Sequence, residues 1–427
     1  MTLTAETIRP ITSRIVHLLE TKCVSLNGSE VDWAGLFRAA RQELEGSTSP
    51  DELERRVTRA LEGGGLSHVA FFHETPQHVP ARYAVCATFS ETDTSDGPFW
   101  MFQDVHPGGP AYEAGLRPGD FLLAIDDQAV TPPLQPRFRL GEDAVATIRR
   151  LDGPERRVTL TLPKPDPRNN GKGTPPMAVP TAVTSRLLDG GIGYVRVAFF
   201  PGASGQPFAG EFDRAVASLG PCERLIIDLR GNLGGFVGAL RLMSYLTPDR
   251  VPVGYSLTRH GHARGLRPDQ LPALDRLPEG ALDKLAMLYR FKIRHRDRSV
   301  RLVTEGLGPK PFHGRIVLLV NEHTASAAEM VAGFASERQL AQLVGTRTSG
   351  QVLGGANFAV GQHFTLRLPA AAWHTWGGRT LEGTGVQPDV NVPLVASDYA
   401  AGIDSQLAAA RSAFSRQQQR ASSVEPV

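Results

Sequence analysis

Ser326 stands where an apolar stretch, residues 315–320, ends in a polar turn and a helical stretch begins. A serine at a strand-to-helix turn is exposed, and the free N–H groups of the first helical turn lie beside it. Because such N–H groups can stabilise a developing oxyanion, the pattern predicts a nucleophilic serine. The alternative is that Ser326, like Thr324, only caps the helix.

A nucleophilic serine needs a base, and His68 is the candidate for that role. An ordinary imidazole has a pKa of about 6.5, so it accepts a proton at neutral pH and loses that ability below about pH 6. Glu382 is the candidate group that orients the imidazole, and Ser67 could relay the contact. His73, five residues after His68, is the reserve base.

The oxyanion also needs fixed donors, and the glycines of DLRGNLGG, residues 228–235, can supply them. They follow an apolar strand, and glycine lets backbone N–H groups approach a substrate closely. We expect Gly234 or Gly235, together with the N–H of Ala327, to form the oxyanion hole. A dinucleotide-binding loop is the alternative, but the GxGxxG spacing is missing.

The amino-acid composition argues against several classes of function. The 427 residues include 46 basic and 44 acidic side chains, a net charge of +2 that gives no general reason to bind nucleic acid or a membrane surface. The basic run at residues 290–301 is interpreted as a solvated face. The three cysteines lack CxxC spacing, so we expect no metal site, and no cofactor is predicted. Without a secretory apolar core in the first 25 residues, we predict a cytoplasmic location unless a leader was removed.

The chain divides into five predicted regions. Residues 1–80 are predicted to form an N-terminal helical domain that ends in the Ser67-His68 motif. Residues 82–163 are rich in patterns typical of β-strands. Residues 164–180 form a linker rich in proline, glycine and asparagine. Residues 181–398 alternate strands and helices, as in an α/β domain, with a polar insertion at residues 262–312. Residues 399–427 are a C-terminal helix and tail.

The GLRPGD turn at residues 115–120 and the strand after it resemble a PDZ domain. Gly115 suits a left-handed helix end, and Pro118-Gly119 suits a tight turn. A PDZ domain binds an extended peptide by adding it to a sheet edge. The alternative is a β-module that only packs against its neighbours.

Five separate motifs together resemble peptidase family S41, the carboxyl-terminal processing and tricorn-type proteases. They are Ser67-His68, the PDZ-like insert, DLRGNLGG, VNEHTASAAE at residues 320–329, and VGTRTSG with LEGTGVQPDV at residues 344–350 and 381–390. The resemblance covers roughly residues 30–395. It implies a crotonase/ClpP-like β/α core, a PDZ domain that recognises substrate, and hydrolysis of peptide bonds through an acyl-enzyme. Ser326 corresponds to the nucleophile and Ala327 to an oxyanion donor.

One departure from the family decides the branch. Carboxyl-terminal processing members have a lysine base where this chain has Gln351, and a glutamine amide cannot take a proton. The tricorn-type branch, which pairs a Ser-His dipeptide with a later glutamate, fits Ser67, His68 and Glu382. We therefore predict a serine endopeptidase that acts on proteins or peptides, with an inactive binding module for peptides or hydrophobic ligands as the alternative. The insertion is a candidate contact surface for a homo-oligomer.

Overall fold

The computed structural model describes residues 3–24, 31–74, 78–151, 153–164, 177–202, 204–235, 237–289, 299–309 and 314–422. Most of the predicted linker and of the basic run at residues 290–301 lies outside these residues. The helices are α1 (Ala5–Lys22), α2 (Trp33–Ala39), α3 (Arg41–Glu45), α4 (Pro50–Glu62), α5 (Ala81–Ala84), α6 (Pro110–Glu113), α7 (Gln206–Ala217), α8 (Ala239–Tyr245), α9 (Arg259–Ala263), α10 (Ala281–Leu288), α11 (Ala327–Glu337), α12 (Ala396–Ala400) and α13 (Ser405–Ser422), with a 3-10 turn at Pro268–Gln270.

Among the residues that the structure describes, the strands form three sheets of six strands and one short pair. They are β1 (Ala70–His73), β2 (Val79–Pro80), β3 (Ala87–Thr94), β4 (Gly97–Val105), β5 (Asp120–Ile125), β6 (Gln128–Ala129), β7 (Arg137–Phe138), β8 (Asp143–Arg150), β9 (Arg156–Thr161), β10 (Val183–Leu188), β11 (Ile192–Val197), β12 (Arg224–Asp228), β13 (Pro252–Thr258), β14 (Ala273–Leu274), β15 (Val300–Val303), β16 (Arg315–Val320), β17 (Gln342–Gly345), β18 (Gly354–Gly361), β19 (Phe364–Thr375) and β20 (Val390–Asn391).

The N-terminal helices pack on one face of the sheet ordered β1-β19-β13-β15-β14, in which β18 also pairs with β19. Ile8 and Ile11 of α1 share a buried cluster with Phe71 of β1 and with Phe364 and Leu366 of β19. Because successive strand residues point to opposite faces, the even-numbered positions at this end of β19 face the helices, and the odd-numbered positions face the other way. The N-terminal region therefore shares its hydrophobic core with the α/β region.

The second sheet has the order β10-β11-β12-β16-β17-β20, and every neighbouring pair except β10 and β11 is parallel. One face carries α7, α8 and α11 over a large apolar cluster, and the other carries α13. The predicted α/β core, covered on both faces, is confirmed. In parallel sheets, sites form outside the carboxyl ends of the strands. Here those ends deliver the loops at residues 229–235 and 321–326.

The PDZ-like region is a sheet ordered β3-β4-β5-β8-β9, with β6 paired to β5. Gly115 and Gly119 have φ values of 80° and 92°, as their predicted roles at a helix end and a tight turn require. Among the described residues β3 pairs only with β4, so one side of β3 is a sheet edge.

A buried polar cluster joins the PDZ-like sheet to the α/β core. Asp104, near the end of β4, accepts hydrogen bonds from the Thr88 hydroxyl at 2.6 Å and from Asn321 Nδ2 at 2.8 Å, and it lies 3.7 Å from Arg196. Burial would raise the pKa of Asp104, but the charges of Arg196, His323 and Arg230 lower it overall. The cluster therefore keeps Asp104 ionised at the domain interface.

The same cluster fixes the loop that follows β12. Asp228 accepts from the Arg230 guanidinium at 3.0 and 2.7 Å and from the Tyr194 hydroxyl at 2.6 Å. Arg230 also donates to both oxygens of Asp404 at 2.9 and 2.8 Å. Each of these buried charges therefore has an opposite charge beside it, which is the condition under which charges are retained in a protein interior.

No helix among the described residues is long and apolar enough to cross a membrane.

Asp104→Ala should destabilise the chain by about 3 kcal/mol or more, because the Arg196 charge and the Asn321 amide lose a buried partner. Urea unfolding followed by circular dichroism measures this change. The control is Asp127→Ala, which removes an exposed ion pair with Arg157 in the same sheet and should cost under about 1 kcal/mol. Equal effects of the two substitutions would contradict the structural role given to the cluster.

Candidate active site

Ser326 ends the loop after β16 and directly precedes α11. Its backbone has φ 56° and ψ −122°. Residues other than glycine rarely adopt a positive φ of this size. Such strain costs about 1–3 kcal/mol and persists only where neighbouring groups hold it. A sharp, strained turn between a strand and a helix is the geometry that exposes a nucleophilic serine. Ser326 is partly exposed, so a substrate can reach it.

The carboxylate of Glu329, in the first turn of α11, holds this turn. Glu329 is fully buried and accepts hydrogen bonds from the N–H groups of Ser326 at 3.2 Å, Gly350 at 2.7 Å and Gln351 at 2.8 Å, and from the Thr348 hydroxyl at 2.6 Å. Burial raises the pKa of Glu329, and the four donors oppose that rise. The Ser326 N–H also donates to the Gln351 carbonyl at 2.8 Å, so the turn is tied to the loop at residues 346–351 at two points.

Gly234 lies directly against the serine. A Cβ placed on Gly234 would come within 2.6 Å of Ser326 Cβ and 2.9 Å of the Ala327 nitrogen, so only glycine fits here. The Gly234 N–H, however, donates to Asn232 Oδ1 at 2.8 Å and is therefore engaged. Within the described residues, the N–H groups of Gly235 and Ala327 have no hydrogen-bond partner. Of the two predicted glycines, Gly235 therefore has the N–H that is free for an oxyanion.

Two segments remote in sequence, residues 67–68 and 380–384, meet beside this turn. The Glu382 carboxylate accepts from the Ser67 N–H at 3.3 Å and from the Val352 N–H at 2.8 Å. Ser67 Oγ lies 2.9 Å from His68 Nδ1. Because Val352 follows Gln351, whose carbonyl binds the Ser326 N–H, the structure brings the predicted residues into one connected site.

One ring nitrogen of His68, Nδ1, is hydrogen-bonded to the Ser67 hydroxyl. No hydrogen bond joins His68 to Ser326 among the contacts of the described residues. With the proton on Nδ1, the ring donates to Ser67 Oγ and leaves Nε2 as the basic nitrogen. His68, like Ser326, has a left-handed backbone, with φ 59°. Both strained residues thus belong to the same site.

His68 sits in an environment that favours the neutral ring. Burial, and then the positive charges of Arg367 and Arg82, lower the pKa of His68 to about 4. The imidazole is therefore unprotonated at neutral pH, the form that a general base requires.

The reserve base, His73, lies elsewhere. The centroid of its ring lies 4.9 Å from that of Phe364 in an edge-on contact, on the face of the sheet that packs against the helices. The backbone N–H of His73 donates to the Glu54 carboxylate of α4. Gln351 does enter the site, but through its backbone, and its side chain is exposed. Neither residue takes the place of His68 beside Ser67 and Glu382.

Sequence reasoning overlooked Glu329 and Asn232. A signal for Glu329 was present, because a serine followed three residues later by glutamate is the capping-box spacing. A signal for Asn232 was also present, because an asparagine side chain often accepts a hydrogen bond from the N–H two residues on, as Asn232 does from Gly234.

The chain is similar in sequence to a peptidase family and to a known smaller domain. Residues 191–392 match Peptidase family S41, and residues 101–150 match the PDZ domain. Tricorn protease homolog 2 of Streptomyces coelicolor is 26% identical over 391 residues, which are 87% of this chain and 29% of the homolog. A carboxyl-terminal-processing protease of Picosynechococcus is 25% identical over 297 residues, 69% of this chain and 61% of that one. The chain thus spans less than two thirds of the length of either relative.

A third relative, a chloroplastic C-terminal processing peptidase of Tetradesmus obliquus, is 26% identical over 67% of this chain and 55% of its own length. Because a relative is chloroplastic, the cytoplasmic location stays a prediction. Among solved structures, mature CPAF complexed with lactacystin superposes with a TM-score of 0.57 at 17% identity, covering 93% of this chain and 95% of CPAF. The tricorn protease gives a TM-score of 0.50 at 17% identity, covering 97% of this chain and 37% of the tricorn chain. These structures share the fold.

Glu329→Gln should destabilise the chain by about 2 kcal/mol and lower the reactivity of Ser326 at least tenfold, because the amide nitrogen cannot accept from the surrounding N–H groups. Thermal unfolding and the rate of labelling by a fluorophosphonate measure the two effects. Glu337→Gln is the matched control, since Glu337 ends the same helix and accepts from Thr375 at 3.0 Å and Gly377 at 2.9 Å. Loss of labelling in both variants would argue against a specific role for Glu329.

Proposed function

We propose that the chain is a serine endopeptidase that hydrolyses peptide bonds through an acyl-enzyme on Ser326, because residues 191–392 match Peptidase family S41 and residues 101–150 match the PDZ domain. The observation that carries the proposal is the connected set of hydrogen bonds from His68 through Ser67, Glu382 and Val352 to the strained Ser326 turn.

In the proposed reaction, Ser326 Oγ attacks the carbonyl carbon of the scissile peptide, and His68 Nε2 accepts the hydroxyl proton. The oxyanion that forms is bound by the N–H groups of Ala327 and Gly235. His68 then returns the proton to the leaving amine, and water hydrolyses the ester through the same two steps. Ser67 and Glu382 keep the imidazole oriented throughout.

The described site supports imidazole over an amine as the base. The family's lysine position holds Gln351, whose side chain is exposed and whose amide is not basic. His68 is neutral in its environment and has one nitrogen engaged by Ser67. In this proposal substrate binding brings Nε2 within reach of Ser326, since catalytic hydrogen bonds often tighten only in the substrate complex.

The PDZ domain has an edge that suits substrate recognition. One side of β3 is unpaired among the described residues, and an extended peptide can add to such an edge through backbone hydrogen bonds. The proposed substrate is therefore an unfolded protein segment or a peptide.

A serine-directed fluorophosphonate should label the wild-type chain and fail to label Ser326→Ala. His68→Ala should lower peptidase activity and labelling by about a thousandfold or more, as removal of a triad member does, whereas Gln351→Ala should change them less than tenfold. Mass spectrometry of the labelled peptide and hydrolysis of casein are the measurements. If the wild type is neither labelled nor active, the chain is the alternative, a non-catalytic binding module. The reverse ranking of His68 and Gln351 would refute the assigned base.

The lowered pKa of His68 sets the acid limit of activity. Because the base works as the neutral ring, kcat/KM should fall with decreasing pH only near pH 4, rather than near the value of about 6.5 for an ordinary histidine. The pH profile of kcat/KM, with circular dichroism at each pH to confirm that the fold persists, measures this limit. If kcat/KM falls with a midpoint near pH 6.5 while the chain remains folded, the environment described for His68 does not lower the pKa of the catalytic base.

A further inference from the structure

Arg367 is a partly buried arginine that has no acidic partner among the described residues. The interior arginines Arg196, Arg230 and Arg241 each have a carboxylate within 4 Å. Arg367 forms no ion pair or hydrogen bond within the described part of the chain, and its Nε is buried without a partner. A guanidinium with a buried, unpartnered nitrogen is stabilised when an anion pairs with it, so Arg367 is suited to bind an anion that approaches this position.

The position of Arg367 in the sheet puts it beside the proposed active site. Arg367 lies opposite Ala70 of β1 and opposite Asn357 of β18. Ala70 follows His68 by two residues, and β18 begins three residues after Gln351. As an odd-numbered residue of β19, Arg367 points away from the face that packs on the N-terminal helices.

Two neighbours define the surroundings of the guanidinium. A Cβ placed on Gly355 would lie 2.5 Å from Arg367 Nε, so glycine is what makes room for the guanidinium at this exposed strand position. Helix α5 contributes Arg82, whose guanidinium carbon lies 4.8 Å from the Tyr83 ring centroid. Arg367 interacts electrostatically with Tyr83. The positive charges of Arg367 and Arg82, from two different elements, both lower the pKa of the candidate base His68.

We propose that Arg367, supported by Arg82, forms a subsite that binds a carboxylate of the substrate next to His68. A guanidinium matches a carboxylate through paired hydrogen bonds, and a partly buried one binds it more strongly than an exposed one does. The carboxylate comes from an acidic side chain near the scissile bond or from the C-terminus of the substrate. This inference rests on the proposed function, because it defines the specificity of that same site.

The test uses the full chain and a fluorescein-labelled, alanine-rich heptapeptide with one central glutamate. Variants of the peptide carry glutamine or lysine in its place, and each is made with a free or an amidated C-terminus. Fluorescence polarisation measures binding to Ser326→Ala, which does not require cleavage. We expect the peptide that supplies the recognised carboxylate to bind about tenfold to a hundredfold more tightly than its neutral counterpart. If replacing the glutamate of the peptide by glutamine removes the tighter binding, the recognised carboxylate is the side chain. If amidation of the peptide C-terminus removes it, the recognised carboxylate is the C-terminus.

Substitutions of the arginine complete the test. In the Ser326→Ala background, Arg367→Met should reduce the preference to about one, Arg367→Lys should keep part of it, and Arg367→Glu should favour the lysine peptide. Arg301→Met is the matched control, because Arg301 also lies in this sheet with an unpartnered, buried Nε, but on β15, two strands from β19. It should leave the preference unchanged.

The outcomes separate this inference from the proposed function. If the chain without Arg367 substitutions shows no carboxylate preference, or if Arg367→Glu does not invert it, the subsite is wrong even when casein is cleaved. If casein is not cleaved but the preference follows Arg367, the subsite stands and the peptidase proposal fails.

Discussion

The left-handed backbone of Ser326 is the constraint on which the site depends. This backbone conformation is strained for a serine. The buried carboxylate of Glu329 stabilises it by accepting hydrogen bonds from the serine N–H and from the facing loop. The same contacts hold the Gln351 carbonyl against Ser326, so the loop after β17 cannot move independently of α11. A reactive hydroxyl is thereby held at a rigid position instead of on a mobile loop.

The rigidity extends into the PDZ domain through paired charges. Asp104 from β4 reaches the turn that precedes Ser326 through Asn321, and the Asp228 and Arg230 pair fixes the loop that carries Gly234 and Gly235. Because these groups are buried, removal of one leaves another without a partner. The PDZ-like sheet and the loop that carries Gly234 and Gly235 are therefore linked through buried polar contacts.

His68 enters the site from a segment that is remote in sequence from Ser326, and its electrostatic environment determines whether the ring is protonated. Burial and two arginines keep His68 neutral, while Ser67 and Glu382 hold its orientation. If an anion binds at the proposed Arg367 subsite, it would offset part of the positive field that lowers the pKa of His68. The proposed substrate selection and the proposed proton transfer would then depend on the same charges.

The sequence alone determined the alternation of strands and helices and the turn glycines Gly115 and Gly119, and it predicted Ser326, His68, Ser67 and Glu382 as site residues, because periodicity and motif order are local properties of the chain. Only the tertiary structure decided that Glu329 accepts from the Gly350 N–H, that His73 faces the helices, and that Arg367 has no carboxylate partner among the described residues. These facts depend on which atoms of distant segments come within about 3 Å of each other. Spacing along the chain does not encode such distances, because they follow from strand register and packing.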